Sequence, residues 1–256
     1  MIDAAKLRAL APTAALAPLL LAAMLCLGAR FGDALAPTDA VIARAEPAPI
    51  AAMRRLFPKT NAGIDAAART GNGDPENLEH AVAWFRGWMG QRAVDVLNAP
   101  DDALLAVAAA RLHVMLAARA EDPRLCIQYA RAPAGGVAQP ASAPSPLLAE
   151  AVDDELVAQV AAARAGVDRP TIRPADAKPW LNPAVRRRAN WYTQLALRGS
   201  PRLEHATEAH RCGAYIEAYR LAIGLPPSDG AALAASLLGR SLPPPPGAPA
   251  PAATPA

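Results

Sequence analysis

Residues 101–120 read DDALLAVAAARLHVMLAARA, a long and almost wholly apolar stretch in the middle of the chain. From Ala103 to Ala118 its only ionisable side chains are Arg111 and His113. A helix that is apolar nearly all round is buried, either in a protein core or in a membrane. The stretch is short for a membrane span, and a charged arginine near its middle is costly in lipid. We therefore expect this stretch to form the central helix of the core; a second membrane span is the alternative. On a core helix, His113 is expected to be a buried, hydrogen-bonded histidine.

The composition of the 256-residue chain favours helices throughout. Alanine, the best helix former, is the commonest residue, whereas aromatic residues make up only 4%. Strands prefer β-branched and aromatic residues. The formal net charge of +3 is too small to indicate a nucleic-acid partner. The sequence predicts an all-α protein, an irregular helical bundle or array of about seven main helices.

Helix start signals recur on both sides of the central stretch. At each of them, a polar residue that can cap a helix stands directly before a proline. Proline suits the first turn because it lacks the backbone N–H that would be unpaired there. Asn98 with Asp101 gives a further start of the capping-box type. The polar–proline pairs are Asp74-Pro75, Asp122-Pro123, Ser145-Pro146, Asn182-Pro183 and Ser200-Pro201. The predicted helices are 75–90, 101–120, 123–131, 146–165, 183–198, 201–223 and 229–238, with shorter ones at 38–45, 49–57 and 61–70.

Proline, glycine and alanine content marks the boundaries between regions. Residues 132–145, APAGGVAQPASAPS, are typical of a linker. This predicts a first helical subdomain at 37–131 and a second at 146–241. Residues 242–256 are mostly proline and alanine, and we expect a disordered tail because they cannot bury enough apolar surface to fold.

Residues 1–36 are expected to be a short cytoplasmic stub followed by a membrane anchor or signal segment. Residues 9–29 are 21 positions without a charge, which just suffices for a transmembrane helix. Basic residues precede this segment, so the bulk of the chain is expected on the exported, periplasmic side of the inner or plasma membrane. A signal peptide cleaved after Ala34-Leu35-Ala36 is the alternative, but Pro37 would then follow the cut.

Of the three cysteines, Cys26 lies in the apolar N-terminal segment. Cys126 and Cys212 both lie beyond it, so export would carry both to an oxidising compartment. We predict a disulfide between them. The alternative is two unpaired buried cysteines that act as small apolar residues.

A possible metal site is formed by His205, Glu208 and Cys212. On one continuous helix these residues fall at i, i+3 and i+7, which is a single face, and all three are plausible ligands of first-row metals. The spacing is not that of a known metal motif, and no other ligand lies nearby in sequence. A solvated helix face with one structural cysteine is favoured, so no metal and no cofactor is predicted.

The stretch 169–202 is basic and contains interleaved aromatic residues. It offers an anion-binding surface for lipid headgroups or envelope polymers through Arg173, Lys178, Arg186, Arg187 and Arg188. The opposing interpretation has three parts. Consecutive arginines on a helix spread over about 200°. Arg187 and Arg188 can stack on Trp191 and Tyr192 one turn later. The acidic residues of 150–155 can neutralise the rest.

A third constellation consists of Glu79, His80, Trp84 and Trp88. A carboxylate and an imidazole beside two indoles are able to line a sugar or aryl site, which gives an exported hydrolase as one hypothesis. A stripe of His80, Trp84 and Trp88 at helical spacing is more often a helix–helix interface. The sequence contains none of the common catalytic motifs.

These observations predict a membrane-anchored, exported helical accessory or scaffold protein. It would act by binding a protein partner in a cell-envelope assembly, and not as an enzyme or on nucleic acid. The alternatives are an exported hydrolase that uses Glu79 and His80, and a binding module for anionic envelope polymers or lipid headgroups.

Overall fold

The computed structural model describes residues 46–136, 143–167 and 178–239. Within these ranges the chain is all-helical and contains no strand, which confirms the predicted fold class. The predicted N-terminal anchor, the helix at 38–45, Arg173 and the tail lie outside the described residues. The α-helices are α1 (Ala48–Leu56), α2 (Asn61–Ala68), α3 (Asp74–Gln91), α4 (Ala93–Leu97), α5 (Asp101–Glu121), α6 (Pro123–Arg131), α7 (Pro146–Gly166), α8 (Pro183–Arg188), α9 (Trp191–Arg198), α10 (Glu208–Ile223) and α11 (Pro227–Leu238).

Helix α5 occupies the centre of the core, as its sequence predicts. It packs against α6, α7, α10 and α11, and α7 also packs against α1 and α4. Leu104, Val107 and Met115 of α5 are fully buried. His113, however, is exposed, so the prediction of a core histidine is wrong. It lies about 200° around the helix from the buried Arg111 and therefore faces away from the core.

Among the described helices, α5 is also the one that is long and apolar enough to cross a membrane. It lies in the middle of the chain and not at its N-terminus. Packing against four neighbouring helices accounts for its apolar surface without a membrane.

Four of the predicted polar–proline starts cap a helix or a 3-10 turn as expected. The prediction for Asn98 is wrong: α5 follows Pro100 without a side-chain cap, because Asn98 ends the short helix α4, which the sequence analysis missed. Helix α3 begins at Asp74 itself, after Gly73. The capping side chains accept from backbone N–H groups, Asp122 from Arg124, Ser145 from Leu148, Asn182 from Ala184 and Ser200 from Arg202.

Two predicted long helices are each broken once. The helix expected at 183–198 divides into α8 and α9, because Asn190 is extended and accepts a hydrogen bond from the N–H of Thr193. The helix expected at 201–223 divides into a 3-10 turn, Pro201–His205, and α10. Thr207 begins α10 by accepting from the N–H of His210. Both breaks change which side chains share a face.

The start of the predicted linker is packed into the core. Ala132 and Ala134 are buried, and the N–H of Ala134 donates to the carbonyl of Leu238 in α11. Gly135 has a positive φ of 75°, and a Cβ there would collide with the carbonyl of Met89. Helices from both sides of the linker pack together within one compact unit, Pro47–Ala256.

Candidate functional site

A buried ion pair links the two longest helices. Nε of Arg111 in α5 lies 2.5 Å from Oε1 of Glu155 in α7, and both side chains are almost fully buried. Burial acts to lower the pKa of Arg111, but the charge of Glu155 and the hydroxyl of Tyr219 outweigh it, so the pKa is raised. The arginine is therefore held charged inside the core, in a structural role.

The same arginine fixes the segment that follows α6. Its Nη1 donates to the backbone carbonyls of Tyr129 and Ala132, each at 2.7 Å. On the other side of the segment, the N–H of Gly135 donates to Oε1 of Gln159, 2.6 Å away. The carbonyl of Ala132 and the N–H of Gly135 thereby gain partners inside the core, whereas the carbonyl of Tyr129 also accepts from the N–H of Ala132 at 3.2 Å. The bonds to Arg111 and Gln159 hold 132–135 against α5 and α7.

Cys126 of α6 and Cys212 of α10 are joined by a disulfide, as the sequence analysis predicts. The two Cα atoms are 5.7 Å apart, within the usual range for disulfides, and both cysteines are fully buried. The bond connects residues 86 positions apart in sequence. It fixes α6 directly against α10.

Beside this disulfide lies a cleft of about 230 Å³, which we call the α6–α10 cleft. Arg131, the last residue of α6, and Tyr215, one turn after Cys212, both line it and contact each other. The buried side chains of Leu203 and Leu237 form an apolar floor. The disulfide holds together the two helices that contribute Arg131 and Tyr215 to this cleft.

The rim of the α6–α10 cleft is polar and charged. Arg131 forms an ion pair with Glu204, and its Nε donates to the hydroxyl of Tyr215 at 3.2 Å. Arg211 also reaches Glu204, with 3.2 Å between nitrogen and oxygen. Burial acts to lower the pKa of Arg131, but Tyr215 and Glu204 outweigh burial, so the pKa is raised. The rim thus presents both a cation and a carboxylate beside an apolar floor.

A second surface, on α8 and α9, contains the predicted basic residues. Pro183, Arg186, Arg187 and Gln194 surround a shallow cleft of about 300 Å³. Trp191 is 59% exposed and lies three residues before Gln194 on α9, so the two share one side of that helix. We call Arg186, Arg187, Trp191 and Gln194 the arginine surface.

The break between α8 and α9 overturns the predicted stacking within one helix. Tyr192 stacks on His210 of α10, with ring centroids 4.9 Å apart, and not on Arg188. Arg188 instead donates to the carbonyl of Gly224 at 3.1 Å. Lys178 is exposed at the start of this part of the structure. The aromatic residues therefore do not shield the arginines in the predicted way.

The acidic residues of 150–155 do not neutralise the arginine surface within the described ranges. Glu155 is committed to Arg111 in the core. The pKa of Asp153 is raised, first by burial and then by the neighbouring charge of Asp154. A carboxylate paired with a cation would show the opposite shift.

The alternative metal site of His205, Glu208 and Cys212 is not assembled. His205 ends a 3-10 turn and does not lie on α10 with the other two. Cys212 is in the disulfide and has no thiolate to offer. Glu208 pairs with Arg124, at 2.8 Å. No group of three potential ligands comes together among the residues that the structure describes.

The residues of the hydrolase hypothesis are used in packing and local hydrogen bonding. Nδ1 of His80 lies 2.5 Å from the hydroxyl of Thr70. Trp88 is buried and contacts the ring of Phe57 edge-on at 4.9 Å, while Trp84 lies against Gly63 of α2. Glu79 is exposed. Neither cleft described above includes Glu79 or His80.

Comparison with known proteins gives no match to a family model, a curated protein or a solved structure. Function is therefore argued from these two surfaces. The sequence analysis found the arginine surface but missed the α6–α10 cleft. Cys126 and Cys212 were the available signal, since a bridge between them brings Arg131 and Tyr215 together.

Proposed function

We propose that this protein is an exported helical accessory or scaffold protein that binds a protein partner in a cell-envelope assembly. Residues 9–29 anchor it in the inner or plasma membrane, with the helical unit on the periplasmic side. The observation that carries the proposal is the α6–α10 cleft with its disulfide brace.

The disulfide supports export. Stable disulfides form in oxidising compartments and are rare in the cytosol. This one is buried between α6 and α10, where it constrains the fold and is shielded from solvent. An uncharged segment of 21 residues at the N-terminus would provide both the export signal and the anchor.

The dimensions of the α6–α10 cleft favour a protein ligand. Its volume of about 230 Å³ is below the ~300–1,000 Å³ typical of small-molecule sites, but it suits one large side chain. Protein interfaces commonly place one anchor side chain in an apolar pocket with a polar rim. Leu203 and Leu237 supply the apolar floor, and Arg131 and Glu204 supply the rim.

Site-specific photocrosslinking in intact cells tests the proposal. A photoreactive amino acid replaces Pro201, an exposed residue on the wall of the α6–α10 cleft. The matched control replaces Leu147, which is 65% exposed on α7 and does not line the cleft. We expect one discrete adduct with an envelope protein from position 201 and none from 147.

Two results would contradict this function. One is equal crosslinking from both positions, which would indicate non-specific collisions. The other is recovery of full-length chain with both cysteines freely alkylated when thiols are blocked before lysis, which would remove the case for export.

A further inference from the structure

We infer that the arginine surface docks on the anionic phospholipid headgroups of the membrane in which the chain is anchored. This inference rests on the proposed anchor but concerns a different surface from the α6–α10 cleft. Docking there would orient the helical unit and leave the cleft free for a partner.

The arginine surface carries positive charge that no carboxylate among the described residues neutralises. Arg186 and Arg187 are both exposed, and no carboxylate among the described residues pairs with either. Other exposed arginines are committed, for example Arg124 to Glu208 and Arg220 to Glu217. Guanidinium groups bind phosphate through forked, charge-assisted hydrogen bonds. Two such groups around one shallow cleft form a site for a phosphate-bearing ligand.

Exposed apolar side chains accompany these charges. Trp191 is 59% exposed on the same side of α9 as Gln194, which lines the cleft, and the amide of Gln194 is held by the carbonyl of Ala189. Leu181, 55% exposed, lies in the 3-10 turn that packs against α8. Arginine, indole and aliphatic side chains together suit the headgroup region of a bilayer. A purely polar anionic polymer would leave the indole and the leucine without a partner.

The segment between residues 9–29 and the helical unit is short. Only residues 30–45 separate the uncharged segment from the described helical unit. Sixteen residues span at most about 60 Å even when fully extended. If residues 9–29 anchor the chain, this tether limits how far the helical unit can move from the bilayer, which raises the effective concentration of headgroups around a weak site.

The test uses the full chain reconstituted in lipid nanodiscs, with quenching of tryptophan fluorescence by brominated phospholipids as the measurement. The quenching of Trp191 is obtained as the difference in quenched fluorescence between the unmodified chain and the Trp191→Phe variant. We expect stronger quenching of Trp191 in discs that contain phosphatidylglycerol than in pure phosphatidylcholine, and a loss of that difference at high salt.

Two double variants with the same change in charge provide the control. Arg186→Gln with Arg187→Gln should lower the ratio of docked to undocked chain about 30-fold, at the usual contribution of one basic residue near an anionic membrane. Arg69→Gln with Arg86→Gln, two exposed arginines at the end of α2 and in α3, should leave most of the docking intact. Equal quenching in both lipids, or equal loss in both variants, would overturn the inference.

Two further measurements distinguish a segment 9–29 that does not anchor the chain from an arginine surface that does not bind lipid. If residues 9–29 do not anchor the chain, it will not remain with phosphatidylcholine discs. Phosphatidylglycerol vesicles should then still sediment the unmodified chain, but not the Arg186→Gln, Arg187→Gln variant. If the unmodified chain does not sediment with phosphatidylglycerol vesicles either, neither the anchor nor the arginine surface binds the membrane, and the inference is overturned.

Discussion

Arg111 places a positive charge at the centre of the core. A buried charge costs several kcal/mol of solvation unless it is fully paired. Here Glu155 supplies the opposite charge, and two backbone carbonyls accept from the same guanidinium. The sequence identified Arg111 as a costly charge within an apolar helix. It did not identify Glu155 as the partner, because 44 residues and an irregular segment separate them.

We predict that Arg111→Met lowers the free energy of unfolding by roughly 3–5 kcal/mol, since it leaves Glu155 buried and unpaired. Adding Glu155→Met should recover part of that loss, because the uncompensated charge is then removed. Urea unfolding of both single variants and the double variant measures the coupling. Strictly additive losses would show that the two side chains do not depend on each other.

At the scale of elements, most helix starts marked by a polar–proline pair were predicted, whereas the starts after Asn190 and Thr207, which break two predicted helices, were missed. A cap is a local event that involves one side chain and an N–H two or three residues away, so the sequence displays it. The break after α8 has no proline or glycine to mark it. It is fixed by Asn190, whose Oδ1 lies 2.8 Å from the N–H of Thr193. Asparagine also occurs inside helices, so its capping role is not evident from sequence.

Substitution of Asn190 tests whether its side chain fixes the break between α8 and α9. Asn190→Ala should destabilise the protein by about 1 kcal/mol, because the first turn of α9 loses its side-chain acceptor. Asn190→Gly should cost only a few tenths of a kcal/mol, since glycine is a tolerated cap. Thermal melting of the two variants in parallel makes the comparison. An alanine variant as stable as the glycine variant would mean that packing alone sets the bend.

At the scale of the whole molecule, the sequence predicted which segments are helical but not which helices are neighbours. It placed 101–120 at the centre because a nearly uniform apolar surface has to be buried. It did not predict that α7, from beyond the linker, packs along α5, because such contacts depend on shape complementarity over long separations. The cysteines were the exception. Only two cysteines lie beyond the apolar N-terminal segment, so each has a single possible partner there, and a long-range contact was predicted from composition.

The Cys126–Cys212 disulfide is expected to stabilise both the fold and the α6–α10 cleft. The disulfide closes a loop of 86 residues, so its loss should cost roughly 2–5 kcal/mol, chiefly through greater freedom of the unfolded chain. Replacing both cysteines with alanine also creates small cavities, so the unmodified chain treated with dithiothreitol is the better comparison. We expect the reduced chain to melt at a lower temperature, and photocrosslinking from Pro201 to weaken, because α6 and α10 carry the walls of the cleft. Weakened crosslinking with an unchanged melting temperature would instead make the disulfide a local brace of the binding site. If reduction changes neither quantity, the bond contributes to neither the fold nor the cleft.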